Sequence, residues 1–466
     1  MNPLILIFVL TLGLLLRIPL LSESFWLDEA TSGLLVRNDE FIGIWQNFLP
    51  NDFHPPLYYF LLEAWSRVFG TAEIALRSLS LFFATATIYF TYLIAQKLFS
   101  KQVGVLAAMF LAVNPLHIYY STEARMYAMA AFLVTLAVWF FVNILEKKSQ
   151  NIYWFGLGLY LSLIFLTDYV AIFILPVFWA YAFIKRKSLE KQKNWYLKFF
   201  VSHLFLILAL IIIWPVLSLQ LQNGLGVKSQ ASGWWEILGQ PSVKNIALIP
   251  IKFMLGRISF GNNIVYGLAI LLATASFSWP LLKSLKNYSK NKTLFIWLWL
   301  LTPILIAVAG SFFVPILSYF RLIFVLPALS VLLAYGLYRL KENQFLPALM
   351  FFLVLQFVFV ITYYQNPRFH REDWRELAGL IKNTNTPIVF VANSQMEGLR
   401  YYGINPLAPN EIKFESDKLY LSRYVHDIFD PEDKLRKRVE SSYEKISEHN
   451  FNGIVVWEYQ KYENSN

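Results

Sequence analysis

Apolar residues in this chain come in long unbroken runs, not in the alternations of a soluble protein. A helix of about 20 apolar residues crosses a hydrocarbon core about 30 Å thick. Eleven such runs are predicted, near residues 3–21, 74–97, 102–119, 124–144, 152–166, 169–185, 197–219, 262–283, 293–314, 319–339 and 344–363. The stretch 152–185 is long enough for one tilted span, and Thr167-Asp168 divides it into two here. The first run looks like a signal peptide, but no small-residue cleavage site follows it and Arg17 lies inside its far end. It therefore reads as a retained anchor. No internal repeat or low-complexity segment is visible.

Composition agrees with the pattern. Of 466 residues, 57% are hydrophobic and 15% charged, against about 25% charged in a soluble domain. That excludes disorder, coiled coil and collagen as well as an ordinary soluble fold. The absence of cysteine removes disulfide scaffolds, thiolate metal sites and Cys nucleophiles. A net charge of +10 invites a nucleic-acid partner, but runs such as Lys185-Arg186-Lys187 sit directly after apolar stretches, where basic residues mark cytoplasmic loops. No nucleic acid is expected; the lipid bilayer is the partner.

With the N-terminus in the cytoplasm, the inside loops 97–102, 146–151, 185–198, 283–292 and 339–344 hold 16 Lys/Arg in 42 residues. The outside segments 23–73, 114–125, 167–168, 220–262 and 315–321 hold 8 in 115. The positive-inside rule thus sets the orientation of a multi-pass plasma-membrane protein. An odd number of spans places the C-terminus outside. The tail after Tyr364 carries 16 of the 30 acidic residues. Helix-like patterns at 373–377 and 431–449 alternate with strand-like runs at 387–391 and 453–457. The expected division is an all-α membrane module, 1–364, and a small extracytoplasmic α/β domain, 365–466.

Candidate chemistry lies in the outside loops. The first, 23–73, holds eight acids against Arg37 and Arg67. Asp39-Glu40 beside Arg37 and Asn38 reads as a solvated turn. Asp28-Glu29 follows Phe25-Trp26-Leu27 near the end of a span, where lipid and aromatic rings strip water from a carboxylate and make it a better base. The alternative is a helix N-cap. In Asp52-Phe53-His54-Pro55-Pro56 two prolines hold His54 in place, and a capping turn is the plainer reading. The run 56–65 is too short to span and reads as an interfacial helix. Asn114-Pro115 ends a helix, after which Glu123, Arg125 and Tyr127 open the next span. Charges at that boundary are functional candidates, or an internal ion pair. Arg321 follows Ser318-Tyr319-Phe320 and either snorkels to headgroups or grips a phosphate. His370, Arg371, Asp373 and Arg375 read as solvated surface. The 220–262 loop, with Gly224, Gly226, Gly233 and Trp234-Trp235, reads as a mobile flap with an aromatic anchor. Glycine-rich phosphate loops, HExxH, Asp-x-Asp and Ser nucleophile motifs are missing, so no soluble nucleotide donor is indicated.

Trp26-Leu27-Asp28-Glu29-Ala30 followed by Asp52-Phe53-His54-Pro55-Pro56-Leu57 resembles the first-loop signature of the protein O-mannosyltransferases. Ser121-Thr122-Glu123-Ala124-Arg125-Met126-Tyr127-Ala128, Ser318-Tyr319-Phe320-Arg321 and Arg371-Glu372-Asp373-Trp374-Arg375 resemble their bacterial branch, which includes the lipid A aminoarabinose transferases. The resemblance covers residues 1 to about 380. It implies a GT-C fold with about 11 transmembrane helices and an inverting glycosyltransferase. Such an enzyme takes a sugar from a polyprenyl-phosphate carrier and passes it to an extracytoplasmic acceptor, a glycolipid, polysaccharide or protein. By the match, Asp28, Glu29 and Glu123 carry the catalysis, while His54, Arg125, Tyr127 and Arg321 bind substrate and phosphate. No cofactor is implied with certainty. A divalent metal ion on Asp28, Glu123 and His54 is the alternative source of positive charge at the leaving group. The isolated Glu123 and the α/β tail depart from the eukaryotic pattern and weigh against a protein acceptor.

Two rivals stand beside this reading. A transporter or flippase would show repeated halves and charges at the midplane, whereas the charges here cluster at one face. A non-enzymatic membrane partner would leave the first-loop acids free to vary.

Overall fold

The computed structural model describes residues 3–145, 150–230, 239–286 and 291–462. Every predicted apolar run is helical. Among the described residues, eight helices are long and apolar enough to cross a membrane: Leu4–Ser22, Glu73–Leu98, Tyr127–Ile144, Trp195–Gly224, Asn263–Leu285, Lys292–Gly310, Tyr319–Tyr338 and Glu342–Gln365. The pair Lys101–Ala112 and Pro115–Ser121 makes a ninth, bent by 65°. The bend has a local cause. Pro115 supplies no N–H, and the Asn114 side chain instead accepts the His117 N–H at 2.9 Å. The runs 152–166 and 169–185 form shorter helices, Asn151–Phe165 and Ala171–Ile184. The break between them falls where expected, and Asp168 Oδ1 accepts the Val170 N–H there at 2.8 Å.

Burial sorts these helices. The windows in Tyr127–Ile144 and Tyr319–Tyr338 are 83% and 89% buried, so they form the centre. Trp195–Gly224 and Asn263–Leu285 are 22% buried and present their apolar faces outward, as lipid-facing helices do. Small residues let backbones approach. A Cβ at Gly336 would collide with the Pro280 carbonyl oxygen, and one at Gly158 with that of Ser202.

The predicted inside loops meet at one end of the bundle. Lys97 donates to Asn143, Gln192 Nε2 to the Ile144 carbonyl at 2.7 Å, Lys292 Nζ to the Leu98 carbonyl at 2.7 Å and the Tyr181 hydroxyl to the Asn291 carbonyl at 2.8 Å. Residues 146–149 and 287–290 of those loops lie outside the described residues. The acid-rich loops and the C-terminal domain meet at the opposite end. In the first loop, Leu27–Asn38 and the amphipathic Leu57–Phe69 are helical. The flap reading is corrected over much of its length. The helix Trp195–Gln230 runs on through Gly224 and Gly226, and Val243–Leu255 is also helical. Gln220 Nε2 donates to the carbonyls of Leu49 (2.8 Å) and His54 (3.0 Å), which ties this helix to the first loop. Gly233 and Trp234-Trp235 lie outside the described residues.

Beyond Gln365 the chain folds as α/β. The strands are β1 (Ile388–Val389), β2 (Lys418–Ser422), β3 (Tyr443–Phe451) and β4 (Ile454–Lys461), in the sheet order β1-β2-β4-β3. The β1–β2 pair is parallel and the others antiparallel. Helix Trp374–Thr384 is capped by Asp373, which accepts the Glu376 N–H at 2.9 Å, and it buries Trp374, Leu377 and Ile381 on the sheet. The predicted helix over 431–449 is corrected. Only Lys434–Glu440 is helical, and from Tyr443 on the segment belongs to β3, paired with β4.

Candidate active site

The helix Leu27–Asn38 starts with Trp26 as its N-cap, so Asp28 lies in the first turn and is not the cap. Its side chain is 40% exposed. The water-stripped carboxylate expected from Phe25 and Trp26 is therefore a solvent-reachable one. Its contact is Arg125, whose Nη2 lies 3.5 Å from Asp28 Oδ2. Arg125 is itself buried, and it comes from the short loop after the bent helix pair.

The same guanidinium faces the second half of the first loop. Its Nη2 lies 3.5 Å from His54 Nε2, and its Nη1 lies 3.5 Å from the Tyr59 hydroxyl. Tyr59 donates to Asp52 Oδ2 at 2.7 Å, and His54 Nδ1 sits 3.2 Å from both Asp52 oxygens. Burial alone would push the Asp52 carboxyl up; the His54 and Arg125 charges and the Tyr59 hydroxyl outweigh it and hold it at about 2. Sequence reasoning named His54 and Arg125, and the structure joins them through one guanidinium.

Glu29 does something else. It is fully buried in a fork-to-fork pair with Arg77, with Nε–Oε1 at 2.8 Å and Nη2–Oε2 at 2.5 Å. Its Oε1 also accepts the Ala124 N–H at 2.7 Å, and Arg371 Nε lies 3.4 Å from Oε2. A carboxylate so enclosed cannot reach an acceptor, so the catalytic expectation for Glu29 is corrected to a positioning one. Arg77 further donates to the carbonyls of Leu21, Glu23 and Ser24 at 3.1, 2.6 and 3.0 Å. It thereby fixes the segment that leads into Asp28.

Glu123 is also buried. Its Oε2 lies 3.8 Å from Arg371 Nη2, and its Oε1 has no hydrogen-bond partner among the described residues. Burial, partly opposed by the Arg371 charge, pushes its carboxyl up to about 7. The internal Glu123–Arg125 pair considered from the sequence is not formed; Arg371 takes the carboxylate and Arg125 turns to Asp28. Tyr127 is buried against Tyr120 and Phe320, with ring centroids 5.4 Å away in each case. Arg321, half-buried beside Phe320, donates to the Pro315 carbonyl at 3.2 Å.

The donor set expected for a divalent ion is not assembled. Among the described residues no group of three or more His, Asp or Glu side chains converges on a metal position. The place between Asp28 and His54 is taken by Arg125 Nη2, 3.5 Å from each.

Sequence reasoning missed the residues that join the two domains. Arg371, taken for solvated surface, is buried. It pairs with Glu23 at 2.7 Å, donates to the Tyr119 carbonyl at 3.0 Å and stacks 4.3 Å above the Tyr119 ring. Tyr402 accepts the Phe25 N–H at 2.9 Å, and Arg375 pairs with Glu73 at 2.8 Å. The Asp28 charge also reaches Glu372 and Tyr424 of the C-terminal domain, which are joined to each other at 2.7 Å. Asp168, read only as a break between spans, is buried within electrostatic reach of His54 and Arg321. The Arg-Glu-Asp-Trp-Arg string was the one available signal for Arg371 and Glu372.

Comparison with known proteins gives this chain a GT-C fold. Residues 53–218 match the family described as dolichyl-phosphate-mannose-protein mannosyltransferase, a segment that holds His54, Glu123 and Arg125 and begins after Asp28. The nearly complete chain superposes on ArnT from Cupriavidus metallidurans, in the apo state with a TM-score of 0.62 and bound to undecaprenyl phosphate with 0.59. Identity is 11% and coverage 97% of each chain in both cases. The archaeal oligosaccharyltransferase AglB from Archaeoglobus fulgidus, in complex with an inhibitory peptide and a dolichol-phosphate, gives 0.53 at 14% identity over 99% of this chain and 74% of that one. An uncharacterized protein of Aquifex aeolicus is 26% identical over 156 residues, 33% of this chain and 31% of its own length. The chain has a GT-C fold and resembles ArnT and the protein O-mannosyltransferases.

Proposed function

We propose that this chain is an integral-membrane inverting glycosyltransferase. It moves a sugar from a polyprenyl-phosphate carrier to an acceptor on the extracytoplasmic side, with Asp28 as the base. The observation that carries the reading is a solvent-reachable Asp28 carboxylate 3.5 Å from a buried arginine that no carboxylate among the described residues holds more closely. The undecaprenyl phosphate and dolichol-phosphate bound to ArnT and AglB support the same class of donor.

In the transfer, the acceptor O–H attacks the anomeric carbon from the face opposite the phosphate. Asp28 takes the proton. The new bond joins the acceptor oxygen to the anomeric carbon, and the bond from that carbon to the phosphate oxygen breaks. The electron pair leaves with the polyprenyl phosphate, which is already a good leaving group and needs positive charge more than a general acid. Arg125 supplies that charge through a planar fork suited to phosphate oxygens. Asp52, His54 and Tyr59 hold the fork from behind, while Arg321 and Tyr127 line the approach of the donor. The predicted orientation puts this end outside, where a lipid-borne donor meets water.

The test is to incubate the purified chain with a panel of polyprenyl-phospho-sugars and an acceptor extract, and to measure released polyprenyl phosphate. Consumption of one donor that depends on acceptor supports the reading. Counterflow of a solute in vesicles without any donor consumption contradicts it and favours a transporter.

A further inference from the structure

At the end of the bundle opposite Asp28, a cavity of about 430 Å³ opens between helices. Three cations from three separate loops meet on it: Lys185, Lys292 and Arg339. None of the residues that line it is acidic, and none of the three cations forms an ion pair with a described residue. Lys292 Nζ donates to the Leu98 carbonyl at 2.7 Å, which fixes it at the rim. The rings of Phe99 and Tyr335 stack at 4.2 Å and, with Leu98 and Val103, form an apolar wall. Sidedness alone explains basic residues in each of these loops. It does not explain why one cation from each converges on a single apolar-walled cavity.

We infer that this cavity is a binding site for an anionic phospholipid, whose headgroup phosphate meets Lys185, Lys292 and Arg339 while an acyl chain lies along the Phe99–Tyr335 wall. Three cations with no carboxylate partner among the described residues match a phosphate borne on a glycerol backbone, and the wall matches the chain below it. A free phosphate would use the cations but gain nothing from the apolar wall. The site lies away from Asp28 and Arg125, so the inference does not rest on the transfer reaction. It uses only the bundle's place in a membrane.

The experiment uses the full chain in nanodiscs of phosphatidylcholine mixed with phosphatidylglycerol, with retained lipids counted by native mass spectrometry. The wild type is expected to keep phosphatidylglycerol in preference to phosphatidylcholine. The combined variant Lys185→Gln, Lys292→Gln, Arg339→Gln is expected to lose roughly tenfold or more of that preference, the scale expected for cations at an anionic leaflet. A control carries Lys187→Gln, Lys191→Gln and Lys193→Gln, three exposed basic residues of the same end that do not line the cavity, and it should keep the preference. Equal loss in the control, or no loss in the cavity variant, overturns the site. Displacement of the retained lipid by excess inorganic phosphate identifies a soluble-anion site and overturns the lipid assignment. Transfer activity plays no part in the readout, so a failure here leaves the proposed function standing, and the reverse.

Discussion

Arg77 and Glu29 face each other fork to fork, 2.5 Å apart at the closer pair of atoms, with neither side chain reaching solvent. Two charges taken out of water hold each other only while both are present. Arg77 also carries three carbonyls of the segment 21–24. Glu29→Gln or Arg77→Ala is therefore expected to destabilise the fold by about 3–5 kcal/mol, as breaking a buried pair does. Thermal unfolding in detergent reads this directly. A variant of either kind with an unchanged Tm would return Glu29 to the list of candidate catalytic groups.

Arg371 binds the C-terminal domain to the first loop through Glu23 and Glu29 and to the second through Tyr119. Arg371→Ala is expected to lower Tm and to expose the linker near residue 366 to protease. A double-mutant cycle with Glu23→Gln should show non-additive losses, because the two groups are 2.7 Å apart. Additive losses would mean that the pair is not formed.

Two carboxyls at this end carry opposite pH signatures. Burial, partly opposed by Arg371, pushes Glu123 up to about 7 from an ordinary 4.5. Between those values the native state binds more protons than the unfolded chain, so this group's contribution to stability falls as pH rises through the window. Asp52 is held at about 2 from an ordinary 3.8, by His54, Arg125 and Tyr59 acting against burial. Its stabilisation is present above 3.8 and is lost as pH falls through about 2. Tm measured against pH should flatten between 4.5 and about 7 in Glu123→Gln. Asp52→Asn should instead reduce the acid-side loss. Unchanged profiles would contradict both assignments.

The chain has no cysteine, which makes its sidedness easy to read. Glu444→Cys, on the exposed face of β3, should react with a membrane-impermeant maleimide on intact cells. Lys187→Cys, at the basic end, should react only after permeabilisation. The reverse pattern would overturn the orientation.

The helical body was legible because lipid-facing helices must be apolar on every side, so pattern and structure coincide. The candidate residues stood out only where a motif concentrated them. Asp28, His54 and Arg125 sit in short, unusual strings. Arg371 does not, and its partners Glu23 and Glu123 lie 348 and 248 positions away, beyond any local pattern. Glu29 was misjudged because adjacency to Asp28 suggested a shared role, whereas a helix turns neighbouring side chains about 100° apart. β3 was misread as helix because Tyr443–Phe451 is buried only at its ends and carries charges between. The glycines after residue 220 suggested a loop, but Gln220 and Asn223 tie that helix to the Leu49, His54 and Pro50 carbonyls.

Arg125 meets Asp28, His54 and Tyr59 with two different nitrogens. Arg125→Lys keeps the charge but not the fork, and it should lower kcat by roughly 10²-fold, the loss typical of one missing donor to a developing anion. An equal loss confined to KM would instead make Arg125 a ground-state binding residue.

The central claim is that Asp28 takes the acceptor proton. Single-turnover transfer from the donor found in the panel, compared between the wild type and Asp28→Asn, tests it most directly. The amide is nearly isosteric and should leave Tm and donor binding in place while the rate falls by roughly 10²–10⁴-fold, the range of general-base catalysis. A folded Asp28→Asn protein that transfers sugar at the wild-type rate would contradict the account.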